Sequence, residues 1–234
     1  MPPLLMAYAG LVLLNLTGVG LHQEPLEWLT KPLLAPVLAL YLWRLTHRGH
    51  PLALAALAFA TAGDVALLLP GAGAFAAGTA CFLGTQLCYV AAFVRQGAAA
   101  YLRARPLMCV GCLAAWAAAN AVLLPHLGAL AWAVAPYSGA LVTMAATAGV
   151  MGPRAAWGGV VFVSSDLLVG LGAAGMEFPG RPVLVMATYA VALFLLTEAF
   201  VHARAAQEVD DPAGRNGHRP AAPAAGAAGE AAGR

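Results

Sequence analysis

Residues 51–69 read PLALAALAFATAGDVALLL, an almost unbroken apolar run with a single charged residue, Asp64, late in it. As a helix rising about 1.5 Å per residue, a run of this kind is long enough to cross a hydrocarbon core roughly 30 Å thick. An acid inside such a helix costs about 2.5–3.5 kcal/mol on insertion scales, so it is expected to face a protein interior and to mark a pathway or a reactive site. A second aspartate, Asp166, ends the stretch Phe162-Val163-Ser164-Ser165-Asp166 inside another apolar run. The two acids ask for one explanation.

The rest of the chain agrees with a membrane setting. Hydrophobic residues make up 62% and charged residues 9%, against roughly 45–50% and about 25% in an ordinary soluble domain. Spans are expected near Pro3 to Gly20, Thr30 to Trp43, Pro51 to Leu69, Ala74 to Val94, Pro106 to Leu124, Leu127 to Val150, Ala155 to Ala174 and Pro182 to Val201. The fold class is therefore all-α, a polytopic integral membrane protein with eight transmembrane helices over residues 1–202, or seven if the short second run is no span or the tight turn at Pro125-His126 does not divide two. Residues 203–234, rich in Ala, Gly and Pro and poor in large apolar side chains, are expected to form a disordered tail.

Basic residues set the orientation. On an eight-span path Arg44, Arg48, Arg95, Arg103, Arg105, Arg154 and the tail arginines share one side, and only Lys31 and Arg181 lie on the other. The positive-inside rule then puts both termini in the cytoplasm, in a cell (plasma) membrane protein. The first span lacks a basic leading segment and a clear cleavage site, which favours a retained helix over a removed signal peptide. The net charge of +2, with no basic patch interleaved with aromatics, gives no reason to expect nucleic acid as a partner.

The halves resemble each other at a lag slightly above one hundred residues. Asn15 falls with Asn120, Lys31-Pro32 with Ala135-Pro136, and Gly63-Asp64 with Ser165-Asp166. Four spans per half give the copies the same orientation, a parallel 4+4 repeat about an axis along the bilayer normal. Both aspartates would then face one central cavity. Chance alignment of Ala, Leu and Val in so apolar a chain is the competing explanation.

Two carboxylic acids close together in low dielectric do not both ionise, so such a pair offers a protonated acid and an ionised base at one pH. The plainer reading makes each aspartate a helix-packing group bonded to a neighbour across small residues such as Ala60, Thr61 and Gly63. Lys31 begins the second span, with Pro32 suited to a first helical turn; it either snorkels to the interface or turns inward toward an acid or a phosphate. Asn15, Gln86, Tyr89, Asn120, Tyr137 and Tyr189 are further polar groups placed to line a pocket or to join helices. Glu198 pairs locally with His202, one turn on. Cys109 and Cys112 form a Cys-Val-Gly-Cys without a second ligand pair, the histidines (His22, His47, His50, His126) form no ligand cluster, and no nucleophile elbow occurs. Metal and serine-hydrolase chemistry are disfavoured.

Five short motifs occur in order: Lys31-Pro32-Leu33, Gly63-Asp64, Gln86-Leu87-Cys88-Tyr89, Gly159 to Asp166, and Met186-Ala187-Thr188-Tyr189. Their order and spacing resemble the YhhN-like lysoplasmalogenase family over about the first two hundred residues. The resemblance implies an eight-span enzyme that hydrolyses the vinyl ether bond of lysoplasmalogens to a fatty aldehyde and a glycerophospho-base. Its Lys-Pro, Gly-Asp and Ser-Asp positions carry over as Lys31, Asp64 and Asp166, with a lysophospholipid drawn from the surrounding membrane lipids as partner; taken with the polar groups above, Asp64 and Asp166 are expected to be catalytic, and Lys31, Gln86, Tyr89, Ser165 and Tyr189 substrate-binding. Two departures stand out: Gln86 where the family often has His, and Ala192 and Leu193 near where it often carries a polar residue.

The chemistry suits the acids. An enol ether is hydrolysed by protonation at its β-carbon, water capture of the oxocarbenium ion, and collapse of the hemiacetal. A positioned carboxylic acid supplies the proton and an ionised partner steadies the cation, so no cofactor is needed. A small or proton-coupled transporter with midplane acids is the alternative function, and acids that only hold helices together are a third.

Overall fold

The structure, a computed structural model, describes residues 2–46, 50–128 and 131–210, with side chains described as far as Ala203. It is helical throughout, with no strand among the described residues. In chain order the helices are α1 (Pro3–Gly20), α2 (Glu24–Thr46), α3 (Pro51–Leu68), α4 (Ala72–Arg95), a short α5 (Ala98–Arg103), α6 (Pro106–Leu123), α7 (Ala131–Ala148), α8 (Pro153–Ala173) and α9 (Arg181–Asp210). Proline in the first turn opens α1, α3, α6 and α8, where its missing N–H leaves no bond unmade and its fixed φ favours the helix.

Seven of these helices are long and apolar enough to cross a membrane: all the long ones except α2. The expected count of eight differs by that one element. Helix α2 runs for 23 residues but carries Glu24, Glu27, Lys31 and Arg44, which dilute its apolar character. Its start is also earlier than Lys31-Pro32. Glu24 and Glu27 lie in the first turn, where acids complement the helix dipole, and Pro25 tolerates that position. Pro32 and Pro36 therefore lie inside the helix, as Pro136 does in α7. The last helix continues to Asp210, past the boundary expected at residue 202. The rest of the expected tail, residues 211–234, lies outside the described residues, as do His47 and Arg48.

Packing organises the helices into a ring. Each of α2, α3, α4, α7, α8 and α9 packs on the next in that order, and α9 packs back on α2. Outside it, α1 lies against both α2 and α9, whereas α6 packs among the long helices mainly on α7. Small residues set the closest approaches. A Cβ on Gly159 of α8 would stand 2.7 Å from the Cα of Ala145 on α7, and one on Gly63 of α3 would stand 2.9 Å from the Phe82 ring of α4. The buried core follows the ring, with Leu34, Leu38, Phe93, Phe162, Leu193, Leu196 and Phe200 among its fully enclosed side chains.

Candidate functional site

Asp64 sits one turn before the end of α3, and its side chain turns inward because Gly63 lets α3 lie flush against α4. Only 1% of the residue is exposed. The Tyr189 hydroxyl of α9 donates to Asp64 Oδ2 at 2.7 Å, and Lys31 Nζ of α2 stands 4.0 Å from Oδ1. Lys31 thus turns inward, the second of its two expected orientations. The rings of Phe82 and Phe162 pack nearly perpendicular to Tyr189, with ring centroids 5.7 and 6.0 Å away, and hold it in place.

Asp166 on α8 has different company. Tyr137 of α7 donates its hydroxyl to Oδ2 at 2.6 Å, and Gln86 Nε2 of α4 approaches the same oxygen at 3.4 Å. No hydrogen bond falls on Oδ1 among the described residues, and the residue is only half-buried. No hydrogen bond joins the two aspartates either; each has its own set of partners. Both nevertheless line one space, the shared cavity expected from the sequence.

That space is a cavity of about 860 Å³. Lys31, Asp64, Asp166, Tyr137, Ser165 and Tyr189 are among its polar groups, and mostly apolar side chains of α4, α6, α7, α8 and α9 supply the remainder. Its volume lies within the range of about 300–1,000 Å³ usual for small-molecule sites, and so does its apolar wall with a few polar groups. Helix α6 gives it one flank, through Met108, Cys112, Trp116 and Leu123. Further along that wall Asn120 and Trp116 both donate to Ser138, which ties α6 to α7.

The remaining expected residues divide. Ser165 lines the cavity but spends its hydroxyl on the Val185 carbonyl of α9, joining two helices. Gln86 lies behind the wall and touches the site through Asp166. Tyr89 is a correction: it does not line the cavity but is fully buried, its ring clustered with those of Phe93 and Phe200 at centroid distances of 6.0 and 6.1 Å. The motif spacing put Tyr89 three residues after Gln86, and that offset leads deeper into the bundle. Ala192 and Leu193 are fully buried in the core.

Tyr137 was visible in sequence only as one polar group among several. Its signal was position: it follows Pro136, the residue that aligns with Pro32. Two other bonds had no signal, the Tyr8 hydroxyl to the Ala190 carbonyl and the Tyr41 hydroxyl to Glu198 Oε1, at 2.8 and 2.6 Å. Glu198 also keeps the expected local contact with His202, at 3.4 Å.

The YhhN family profile matches residues 26–200. The match spans the whole ring, and the chain belongs to that family. No curated protein and no solved structure matches it.

Proposed function

We propose that this YhhN family member is an integral membrane hydrolase that cleaves the vinyl ether bond of lysoplasmalogens, releasing a fatty aldehyde and a glycerophospho-base. One observation carries the reading: Asp64, Asp166 and Lys31 face a single, largely apolar chamber. A single-chain lipid would lay its tail along the apolar wall, with its phosphate toward Lys31.

The unequal surroundings suggest the roles. Among the described residues Asp166 has no cation beside it; it is half-buried and receives both hydrogen bonds on Oδ2, which leaves Oδ1 to carry a proton into the chamber. We assign it the acid that protonates the β-carbon. Asp64, with Lys31 on one oxygen and Tyr189 on the other, is the ionised partner. It steadies the oxocarbenium ion and takes a proton from the attacking water, effects of the kind worth about 10²–10⁴ in rate for a positioned acid or base. Tyr189 and Tyr137 hold the two carboxylates in place.

In the membrane, α2 would make the eighth span, giving a parallel 4+4 arrangement with both termini cytoplasmic. Two features support it. Helices α2–α4 and α7–α9 occupy matching places in the ring, α4 packing on α7 as α9 packs on α2. Asn15 of α1 donates to Thr30 of α2 as Asn120 of α6 donates to Ser138 of α7.

The test is aldehyde release from a lysoplasmalogen by the purified protein in detergent. Turnover that is lost in folded Asp64→Asn and Asp166→Asn supports the reading, and undiminished turnover in both rejects it. Accumulation of unaltered solute in sealed vesicles would instead identify a transporter.

A further inference from the structure

The two helices outside the ring close their grooves differently. Helix α1 lies in the groove between α2 and α9, and the Tyr8 hydroxyl bonds across it to the Ala190 carbonyl. On the 4+4 arrangement above, α6 should cover the groove between α7 and α4 in the same way. It packs on α7, where Trp116 and Asn120 donate to Ser138, but among the described residues no hydrogen bond joins it to α4. At the acid-bearing end it leans toward α8 instead: a Cβ on Gly170 would stand 3.4 Å from Leu123, which is buried. At the opposite end the short α5 packs on α4, α6 and α7 and ties them together. A cleft therefore runs between α4 and α6, shut at the α5 end.

Its lips are small and apolar. Ala76 and Ala80 on α4 and Ala115 on α6 line the chamber and are exposed. Ala80 stands eight residues after the start of α4 and Ala115 eight before the end of α6, so each lies about 12 Å from the acid-bearing end. Asp64 and Asp166 lie about 6 and 10 Å from that end by the same measure. The lips thus sit just beyond the level of the acids. The surface around them is apolar as well, since α6 exposes Leu107, Val110, Leu113 and Val122 and is the least enclosed of the seven helices suited to crossing a membrane.

We propose that the cleft between α4 and α6 is a binding site for one hydrocarbon chain of a membrane lipid, and that the lipid slides through it into the chamber sideways from the bilayer. A chain entering there leaves one apolar environment for another, because lipid tails are as apolar as leucine side chains. Neither desolvation nor a hydrophobic gain then weighs on the tail. What holds the lipid is its polar end, with Lys31 inside the chamber to meet a phosphate. The cleft rests on the hydrolase reading only for the fate of the lipid once it is bound.

The test uses the full chain in phosphatidylcholine vesicles, with Cys81, Cys88 and Cys109 changed to Ala. Cys112, half-buried on the chamber wall of α6, is then the sole thiol. An alkyl maleimide dissolved in the bilayer should label it, and palmitoyl lysophosphatidylcholine should protect it. Ala80→Trp narrows the cleft and should slow labelling about tenfold, an added barrier of about 1.4 kcal/mol. Ala115→Trp, on the opposite lip, should act alike. Ala114→Trp, exposed on the far face of α6 and outside the chamber lining, should label as the parent does. With a lysoplasmalogen as substrate, the two lip variants should lower kcat/KM and Ala114→Trp should not. A thiol that the maleimide does not reach, a lysolipid that gives no protection, or lip variants that behave as Ala114→Trp does would each overturn the cleft. Protection without aldehyde release would defeat the hydrolase reading and leave the cleft standing.

Discussion

The two carboxylates occupy matching places in the ring, yet their surroundings diverge. Around Asp64 the packing is closed: α1 fills the groove between α2 and α9, Tyr8 bonds to Ala190 across it, and the acid is 1% exposed beside Lys31. Around Asp166 the packing is open. Helix α6 packs mainly on α7, its inner face becomes a chamber wall, and the acid is half-buried among neutral donors. Standing one helix off the ring leaves the inner face of α6 to line the cavity that both acids reach.

The largest effects should come from the acids themselves. Asp166→Asn removes the proton donor, and aldehyde release should fall by about 10²–10⁴ with little change in KM. Asp64→Asn should lower kcat comparably and also strand Lys31 without its carboxylate, so its apparent Tm should drop further than that of Asp166→Asn. Equal Tm values for the two would break the contrast between the closed and open sides. Their tyrosines come next. Tyr189→Phe takes one hydrogen bond from a fully enclosed carboxylate and should cost about 1–3 kcal/mol of stability, whereas Tyr137→Phe leaves Asp166 with Gln86 and the chamber and should cost less. Both are read by thermal unfolding followed with a thiol or tryptophan probe.

How much of this was legible follows the same divide. Membrane class, the run Pro51 to Leu69 and the two acids were readable because a charged residue in an apolar helix is a strong, local signal. The inward turn of Lys31 was not, because a lysine near a helix start serves equally well at the interface; only the packing of α2 on both α3 and α9 decides it. The length of α2 was hidden by Pro32, which ends most helices but is tolerated here inside a buried one. Tyr89 was misplaced because residues three apart on one helix share a face without sharing a neighbour. The open position of α6 has no sequence signal at all, since its contacts are made by other helices' side chains.

Glycine substitutions probe the same contrast at smaller scale. On the Asp166 side, a Cβ at Gly159 would meet the backbone of Ala145, which cannot give way unless α8 shifts from α7. Gly159→Ala should therefore destabilise by about 1–3 kcal/mol and, by tilting Asp166, lower turnover as well. On the Asp64 side, the Cβ at Gly63 would meet the Phe82 ring, a side chain that can rotate. Gly63→Ala should cost less in stability. A reversed order, measured as apparent Tm in one detergent, would show that the α3–α4 contact and not the α7–α8 contact is the tighter constraint.

The smallest expected effect lies at the connections near these ends of the two acid-bearing helices. Between α3 and α4 the chain turns through Leu69, Pro70 and Gly71 without a charge. Between α8 and α9, Arg181 donates to both oxygens of Glu177 at 2.7 and 2.8 Å and to the Leu168 carbonyl at 3.2 Å, pinning the longer connection to α8. The hydrogen bond from Arg181 holds the Glu177 carboxyl below its usual range. A depressed carboxylate contributes stability that is fully present above its unfolded pKa, about 4.3, and is lost as pH falls through the lower folded value. Because Glu177 is exposed, solvent and salt screen that contribution strongly. Glu177→Gln should therefore lower the apparent Tm at pH 7 by no more than about 2 °C in low salt and by less in high salt. The difference from wild type should vanish in acid below the folded pKa, where both side chains are neutral. A difference that persisted there would mean that Glu177 acts by shape and not by charge, and the two connections would then differ only in length.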